Sequence, residues 1–225
     1  MTDAHCHVSC GDKSVRELLV GRDFFGVHPW ATLSPAGAPE TAAEVAARLR
    51  RALMAHPGAG VGEIGLDRLK ARDIPPRMRE VFAVQLALAF EMGRCVVLHG
   101  AKCWGQVVAA VRPLAAAGGG RGAGVRLLFH GFSRSAGLVP EIVALGGFIS
   151  VGPAVLNDHA VNYRALVRGI PLDRLLVETD NEPGKEATRI QDVRAKTAEL
   201  RGLAPAEMER LTDRNADLFW GGAAP

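Results

Sequence analysis

The 225-residue sequence predicts an α/β fold in which short parallel strands alternate with helices. Three observations predict it. Apolar runs of strand length are separated by stretches with helical spacing almost to the end of the chain. Runs such as Cys95-Val96-Val97-Leu98 and Leu175-Leu176-Val177 are continuously apolar, the form taken by parallel strands covered on both faces. The first run and four later ones each deliver a His, Glu or Asp at the same end. Seven strands are clear, and eight β/α units would close a TIM-type barrel. The competing architecture is an open doubly wound sheet, but no glycine-rich phosphate fingerprint follows the first strand. No internal repeat or long linker divides the chain, so residues 1–225 read as a single domain.

In order, Asp3-Ala4-His5-Cys6-His7 reads as the first strand, with Asp3, His5 and His7 on one face because strand side chains repeat every two residues. A strand around Leu18–Val20 stands only three residues before the next, too few for a crossover helix. The barrel is therefore expected to be distorted or short of one β/α unit between Val8 and Phe24. Phe24–Val27 is a strand ending at His28-Pro29-Trp30. Pro39–Ala55 is a helix with Ala42, Val45, Leu49 and Leu53 on one stripe and proline in its first turn. Gly60–Leu66 is a strand ending at Asp67, and Pro76–Met92 a helix stopped by Gly93. Cys95–Leu98 runs into His99. A helix over Trp104–Ala117 and a glycine-rich connection, Gly118–Gly124, lead to a strand over Val125–Phe129 that enters His130. Ser135–Leu145 is a helix, Gly147–Val151 a strand and Leu156–Val167 a helix. Leu175–Val177 carries Glu178-Thr179-Asp180 at its end. Helices over Gln191–Leu200 and Pro205–Phe219 close the chain.

Composition sets the class. Hydrophobic residues make up 48% and charged residues 23%, ordinary for a globular protein with a proper core. The net charge of +3 suits a phosphate-bearing substrate without being a nucleic-acid footprint. No apolar run is long enough to span a bilayer and no signal peptide opens the chain. The four cysteines form no C-x-x-C pair. These features predict free thiols, no membrane contact and a cytoplasmic location. Cys6 is expected to face away from its histidine neighbours and pack as a small hydrophobe.

The chemistry lies in the strand ends. His5 and His7, spaced i, i+2, can chelate one divalent ion, with Asp3 placed to orient a ring. Glu63, His99, His130 and Asp180 come from other strands, and in a parallel barrel all such ends open on one face. Singly, His99 and His130 read as core-edge histidines, and Glu63 and Asp180 as helix caps. Together, four imidazoles and two carboxylates suit divalent Zn, Mn, Co, Ni or Mg. Six ligands sharing one carboxylate can hold two ions roughly 3.5–4 Å apart, and Glu63 is the expected bridge. Lys102, Arg68 and His28 are candidates for binding phosphate, and Trp30 and Phe132 for stacking on a base.

The motifs Asp3-Ala4-His5-Cys6-His7, Gly26-Val27-His28-Pro29-Trp30, Gly62-Glu63-Ile64-Gly65-Leu66-Asp67, Val96-Val97-Leu98-His99, His130-Gly131-Phe132-Ser133 and Leu176-Val177-Glu178-Thr179-Asp180, with Asn215 and Phe219 behind them, follow one another in the order of a known family. Over nearly its whole length the chain resembles the TatD-type metal-dependent hydrolases. That resemblance implies a TIM-type barrel and a deoxyribonuclease working at DNA ends with two divalent ions (Mg, Mn or Zn). It implies that His5 and His7 bind one ion, Glu63 bridges, His99 and His130 bind the second, and Asp180 binds the first beside the attacking water.

The chain departs from the family in places that contact substrate. It is shorter than usual. Ala101 stands where an arginine is usual, with Lys102 next to it, and Asn181-Glu182-Pro183-Gly184 replaces a Pro-aromatic segment. The expected reaction is hydrolysis of a phosphodiester, DNA first, by an exonuclease-like monomer, with Glu63 and Asp180 as catalytic residues. Two alternatives are a deacylase or lactonase using the same ions and a non-catalytic barrel serving as a scaffold.

Overall fold

The computed structural model describes residues 1–33, 39–117 and 124–221. Among the described residues are eight strands and seven α-helices. They are β1 (Thr2–Cys6), β2 (Arg16–Leu19), β3 (Phe24–Phe25), α1 (Ala42–Ala55), β4 (Gly60–Asp67), α2 (Pro76–Glu91), β5 (Val96–Ala101), α3 (Trp104–Ala117), β6 (Leu127–Phe129), α4 (Val139–Ala144), β7 (Phe148–Val151), α5 (Val161–Gly169), β8 (Leu175–Val177), α6 (Ile190–Arg201) and α7 (Pro205–Trp220). Every strand pairing is parallel. β1 pairs with β2, and β3 to β8 form a six-stranded sheet in chain order. The two sheets meet at two seams. One is a single parallel bridge between Val20 and Phe24. At the other, Asp180 N donates to His5 O (3.0 Å) and His7 N to Asn181 O (2.9 Å). The strands therefore follow one another around a TIM-type barrel distorted at these seams.

The eighth strand is present as β2, and what the chain lacks is the pair of helices that would follow β1 and β2. Parallel neighbours ordinarily need a long crossover, but β2 and β3 meet through one bridge, so a tight turn suffices. In that turn Asp23 Oδ2 accepts from Leu19 N at 2.8 Å. The β1–β2 connection is a loop held by Glu17, whose carboxylate accepts from Ser9 Oγ (2.5 Å) and Cys10 N (2.6 Å).

Several boundaries differ from the sequence expectation for local reasons. α1 begins at Ala42 rather than Pro39 because Thr41 and Glu44 form a reciprocal capping box. The strand expected over Phe24–Val27 stops at Phe25, since the buried Gln85 side chain of α2 takes both Val27 N (2.6 Å) and Val27 O (3.2 Å). Val125 lies before β6, and most of the glycine-rich connection lies outside the described residues. The stretches Ser135–Leu145 and Leu156–Val167 each begin as 3-10 turns (Ala136–Leu138 and Pro153–Leu156) ahead of α4 and α5.

The alternation of strand side chains builds the barrel interior in layers. The lower layer is apolar: Leu18, Val97, Leu128, Phe148 and Leu176 pack with Phe24 and with Phe219 of α7. The rings of Phe24 and Phe148 each lie 6.1 Å from that of Phe219. Two residues further along, the same faces carry His99, His130, Ser150 and Glu178. Asn215 of α7 fixes the plug, donating to Leu172 O and Leu175 O at 2.8 Å each. The outer core, between strands and helices, includes Val96, Leu98, Leu127, Phe129 and Ile149, all fully buried. Burial of this kind contributes about 1.5–3 kcal/mol per large side chain.

Candidate metal centre

The polar layer converges on one carboxylate. Glu63, inside β4 rather than at its end, is 2% exposed. Its Oε1 lies 2.5 Å from His99 Nδ1, 2.6 Å from His130 Nε2 and 3.3 Å from His28 Nε2. Its Oε2 lies 3.1 Å from His7 Nε2 and 3.3 Å from His5 Nε2. Asp180 Oδ1 stands 3.6 Å from both of the latter nitrogens. All six expected metal ligands are thus in one cluster. His28, expected at the substrate, joins them: single potential ligand atoms of His28, Glu63 and His99 fall within 4.8 Å of one another, as do those of His5, His7 and Glu63 and of His5, His130 and Asp180.

The donor set fits divalent cations. Both ring nitrogens of the fully buried His5, and Nδ1 of His130, have no hydrogen-bond partner. Buried polar atoms are ordinarily satisfied, so the orphaned His5 Nε2, facing Glu63 Oε2 at 3.3 Å and Asp180 Oδ1 at 3.6 Å, is the arrangement a cation completes, while His130 Nδ1 faces Glu178 instead.

The electrostatics reflect the crowding. Burial alone would raise the Glu63 carboxyl, but the charge of His130 and the imidazoles of His130, His28 and His5 that face its oxygens outweigh it and hold Glu63 well below the usual carboxylate range. Burial opposes charging of His130, yet Glu63 and Glu178 together raise it well above the ordinary imidazole value. His99 is raised against its burial by Asp67 and Glu63, and His7 is raised by its hydrogen bond to Glu63. Asp180, the cluster's solvent-facing carboxylate, is pushed up by burial.

Three supports were not assigned from sequence. Asp67 Oδ2 bonds His99 Nε2 at 3.0 Å and accepts from Trp30 Nε1 at 2.6 Å, while Oδ1 accepts from the Leu69 and Lys70 amides. Fully buried Glu178 accepts from Gly131 N (2.7 Å) and Ser150 Oγ (2.5 Å) and stands 3.6 Å from His130 Nδ1. Arg134 lines the cleft beside the cluster. The signal for the first two was present: Asp67 ends a strand, and Glu178 precedes Asp180 by two and shares its face.

A cleft of about 240 Å³ opens over His99, His130 and Asp180, flanked by Lys102 and Arg134. Among the described residues, the non-glycine positions with left-handed backbone are Lys102 (φ 57°), Arg134 (φ 64°) and Asp180 (φ 49°), and all three line it. Such conformations cost energy and gather at functional sites.

Three expectations are corrected. Phe132 is no stacking surface: it is 1% exposed, 5.2 Å from the Trp104 ring, because left-handed Gly131 (φ 55°) turns it back into the core. Arg68 Nε is committed to Arg72 O at 3.0 Å, outside the lining of this cleft. Asp3 orients no ring: it accepts from Thr179 N (3.0 Å) and Thr179 Oγ1 (2.6 Å), and burial pushes its carboxyl up to about 7. Trp30 is 40% exposed with its ring 6.4 Å from that of His99; like Arg68 it lies outside the lining of this cleft, and Lys70 Nζ sits 4.7 Å over its ring. Cys6 is fully buried, and all four thiols are free.

A family model described as TatD related DNase matches residues 14–221. The chain is 30% identical to the Mycobacterium tuberculosis uncharacterized metal-dependent hydrolase TatD, over 98% of both chains. It is 28% identical to the 3'-5' ssDNA/RNA exonuclease TatD of Cronobacter sakazakii, over 95% of this chain and 85% of that one. The crystal structure of YJJV, a TatD homolog from Escherichia coli K12, superposes with a TM-score of 0.71 at 23% identity, covering 93% of this chain and 78% of that one. No described helix is long and apolar enough to cross a membrane.

Proposed function

The chain belongs to the TatD-related DNase family of metal-dependent hydrolases, and from that premise we propose that it cleaves phosphodiester bonds in DNA, from an end, as a single-domain monomer. The observation that carries the reading is the gathering of five imidazole nitrogens within 3.3 Å of one buried carboxylate, with Asp180 beside them at the floor of a cation-flanked cleft.

Glu63 offers one oxygen to each half of the cluster: His5, His7 and Asp180 on one side, His28, His99 and His130 on the other. Those two halves would hold two divalent ions, Mg, Mn or Zn. When bound, such ions lower the pKa of water and act as Lewis acids toward a phosphoryl oxygen. Asp180 faces the cleft with a carboxyl raised by burial, so Oδ1 is placed to accept the proton of the attacking water. Asp67 holds His99 and the Trp30 indole in fixed orientation. Lys102 and Arg134 stand where the phosphate oxygens of a strand end would enter, Lys102 standing in for the arginine absent at Ala101. Trp30 supplies a face on which a terminal base stacks.

The test is digestion of end-labelled single-stranded DNA in Mg, Mn and Zn, with ester and amide substrates in parallel. Glu63→Gln and Asp180→Asn should each lose at least about a hundredfold in rate while keeping the wild-type circular dichroism spectrum. Turnover of esters or amides with intact DNA would replace this reading with deacylase chemistry, and undiminished DNA cleavage in both variants would refute the mechanism.

A further inference from the structure

The candidate metal centre lies beyond the C-terminal ends of the strands. At the other end is a larger cleft of about 550 Å³, lined by residues that immediately precede strands: Asp23 before β3, Ala59 before β4, Cys95 before β5 and Arg126 before β6. Trp220 and Gly221, at the end of the α7 plug, form another wall. The volume is within the range of small-molecule sites, about 300–1,000 Å³. We propose that this cleft is a second binding site, for a phosphate monoester of nucleotide size.

Charge carries the argument. Arg22, Arg94 and Arg126 line the cleft, and the single acidic residue among them is Asp23, a net of two positive charges. Asp23 is already committed, accepting from Leu19 N (2.8 Å) and pairing with Arg22 (2.7 Å). Two of the arginines have structural work. Arg94 binds the carbonyls of Leu53, Pro57 and Ala59, and Arg22 reaches Glu17 O as well as Asp23. Arg126 has neither an ion pair nor a carbonyl partner among the described residues, and its Nε is buried without a partner.

Room for this guanidinium is made by the backbone at the helix end. Gly221 has φ +98°, and a Cβ there would lie 2.6 Å from Arg126 Nη1. A half-buried guanidinium without a counter-charge among the described residues is unfavourable, and its planar fork matches phosphate oxygens in a bidentate contact. A dianionic monoester balances the net charge of the lining, while Trp220 and His56 at the same cleft offer ring surface to an attached base. The site does not depend on the hydrolase reading, since it shares no residue with the metal cluster.

The test is isothermal titration of the EDTA-treated protein with inorganic phosphate, AMP and adenosine. Saturable binding of phosphate and AMP is expected, with none of adenosine. AMP binding tighter than phosphate is expected, and equal affinities would overturn the nucleotide assignment because Trp220 and His56 would then contribute nothing. Arg126→Gln should weaken binding about tenfold, as loss of a charged hydrogen bond does, while Lys13→Ala, exposed and outside both clefts, leaves it unchanged. Should Arg126→Gln fail to fold, Arg22→Gln at the exposed rim must weaken binding instead. Absence of saturable binding, or wild-type affinity in the folded arginine variant, would overturn the proposal.

Discussion

Glu63 has more imidazole neighbours than one carboxylate can neutralise, and this sets how the site meets a cation. His7, His99 and His130 all have raised proton affinity because they face Glu63, and His99 also faces Asp67. A metal must displace those protons, so its affinity falls as pH drops through the raised values, by about tenfold per pH unit for each proton displaced. Titration of Mn²⁺ between pH 6 and 8 in buffers of different ionisation enthalpy measures the release directly; pH-independent affinity would mean that the imidazoles are not the ligands. Asp67→Asn separates orientation from ligation. It keeps the hydrogen-bond sites but removes the charge holding His99, so metal affinity should fall about 10–100-fold at pH 8. Because His99 then loses part of its raised proton affinity, the pH dependence of the variant should be shallower than that of the wild type.

The elements around β2 show how the chain manages without two helices. Glu17 ties the connecting loop to β2 through Ser9 and Cys10. Burial by itself would raise this carboxyl, and those hydrogen bonds outweigh burial and lower it. A lowered carboxylate contributes stability above its unfolded pKa and loses it as pH falls through the folded value. Hydrogen exchange at Cys10 and Gly11 should therefore accelerate below about pH 4, and Glu17→Gln should accelerate it at neutral pH at a cost of about 1–2 kcal/mol; unchanged exchange at Cys10 would show that the loop is held otherwise. No sequence pattern announces this tie, because the acceptor and donors belong to a loop and a strand whose pairing is tertiary. Strands and the gathering of the six side chains were legible for the opposite reason: the period of two and the common polarity of parallel strands project directly from sequence to the mouth of the barrel. What escaped was direction at turns. His28 enters the cluster because a Pro29-led 3-10 turn aims it there, and Phe132 leaves because Gly131 reverses the chain. Asp67 and Glu178 sat in plain view at strand ends, but their partners lie on other strands, so their roles appear only once the strands are adjacent.

At the scale of the molecule, the seams and the cluster belong to one problem. The two-stranded sheet of β1 and β2 joins the six-stranded sheet through one bridge on one side and, on the other, through backbone bonds at His5, His7 and Val8 and the Asp3–Thr179 pair. Across that second seam, His5 and His7 face Glu63 of β4 and Asp180 beyond β8. Without a cation, closure there depends on a few hydrogen bonds and on imidazoles facing carboxylates. A bound ion would link three strands at once, and its binding energy would add to folding energy because the unfolded chain has no preformed site. At a hundredfold excess over Kd the gain is about 2.7 kcal/mol. For a chain of this size, that corresponds to a Tm higher by about 5–10 °C. The rise should be largest for the cation that best supports cleavage, and exchange should slow most at the amides of His7, Val8 and Asp180 along the seam. Glu63→Gln should abolish both effects, its Tm being the same with the cation as after EDTA treatment. An ion that raises Tm equally in Glu63→Gln would be acting elsewhere, and the barrel would then be closed by its packing alone.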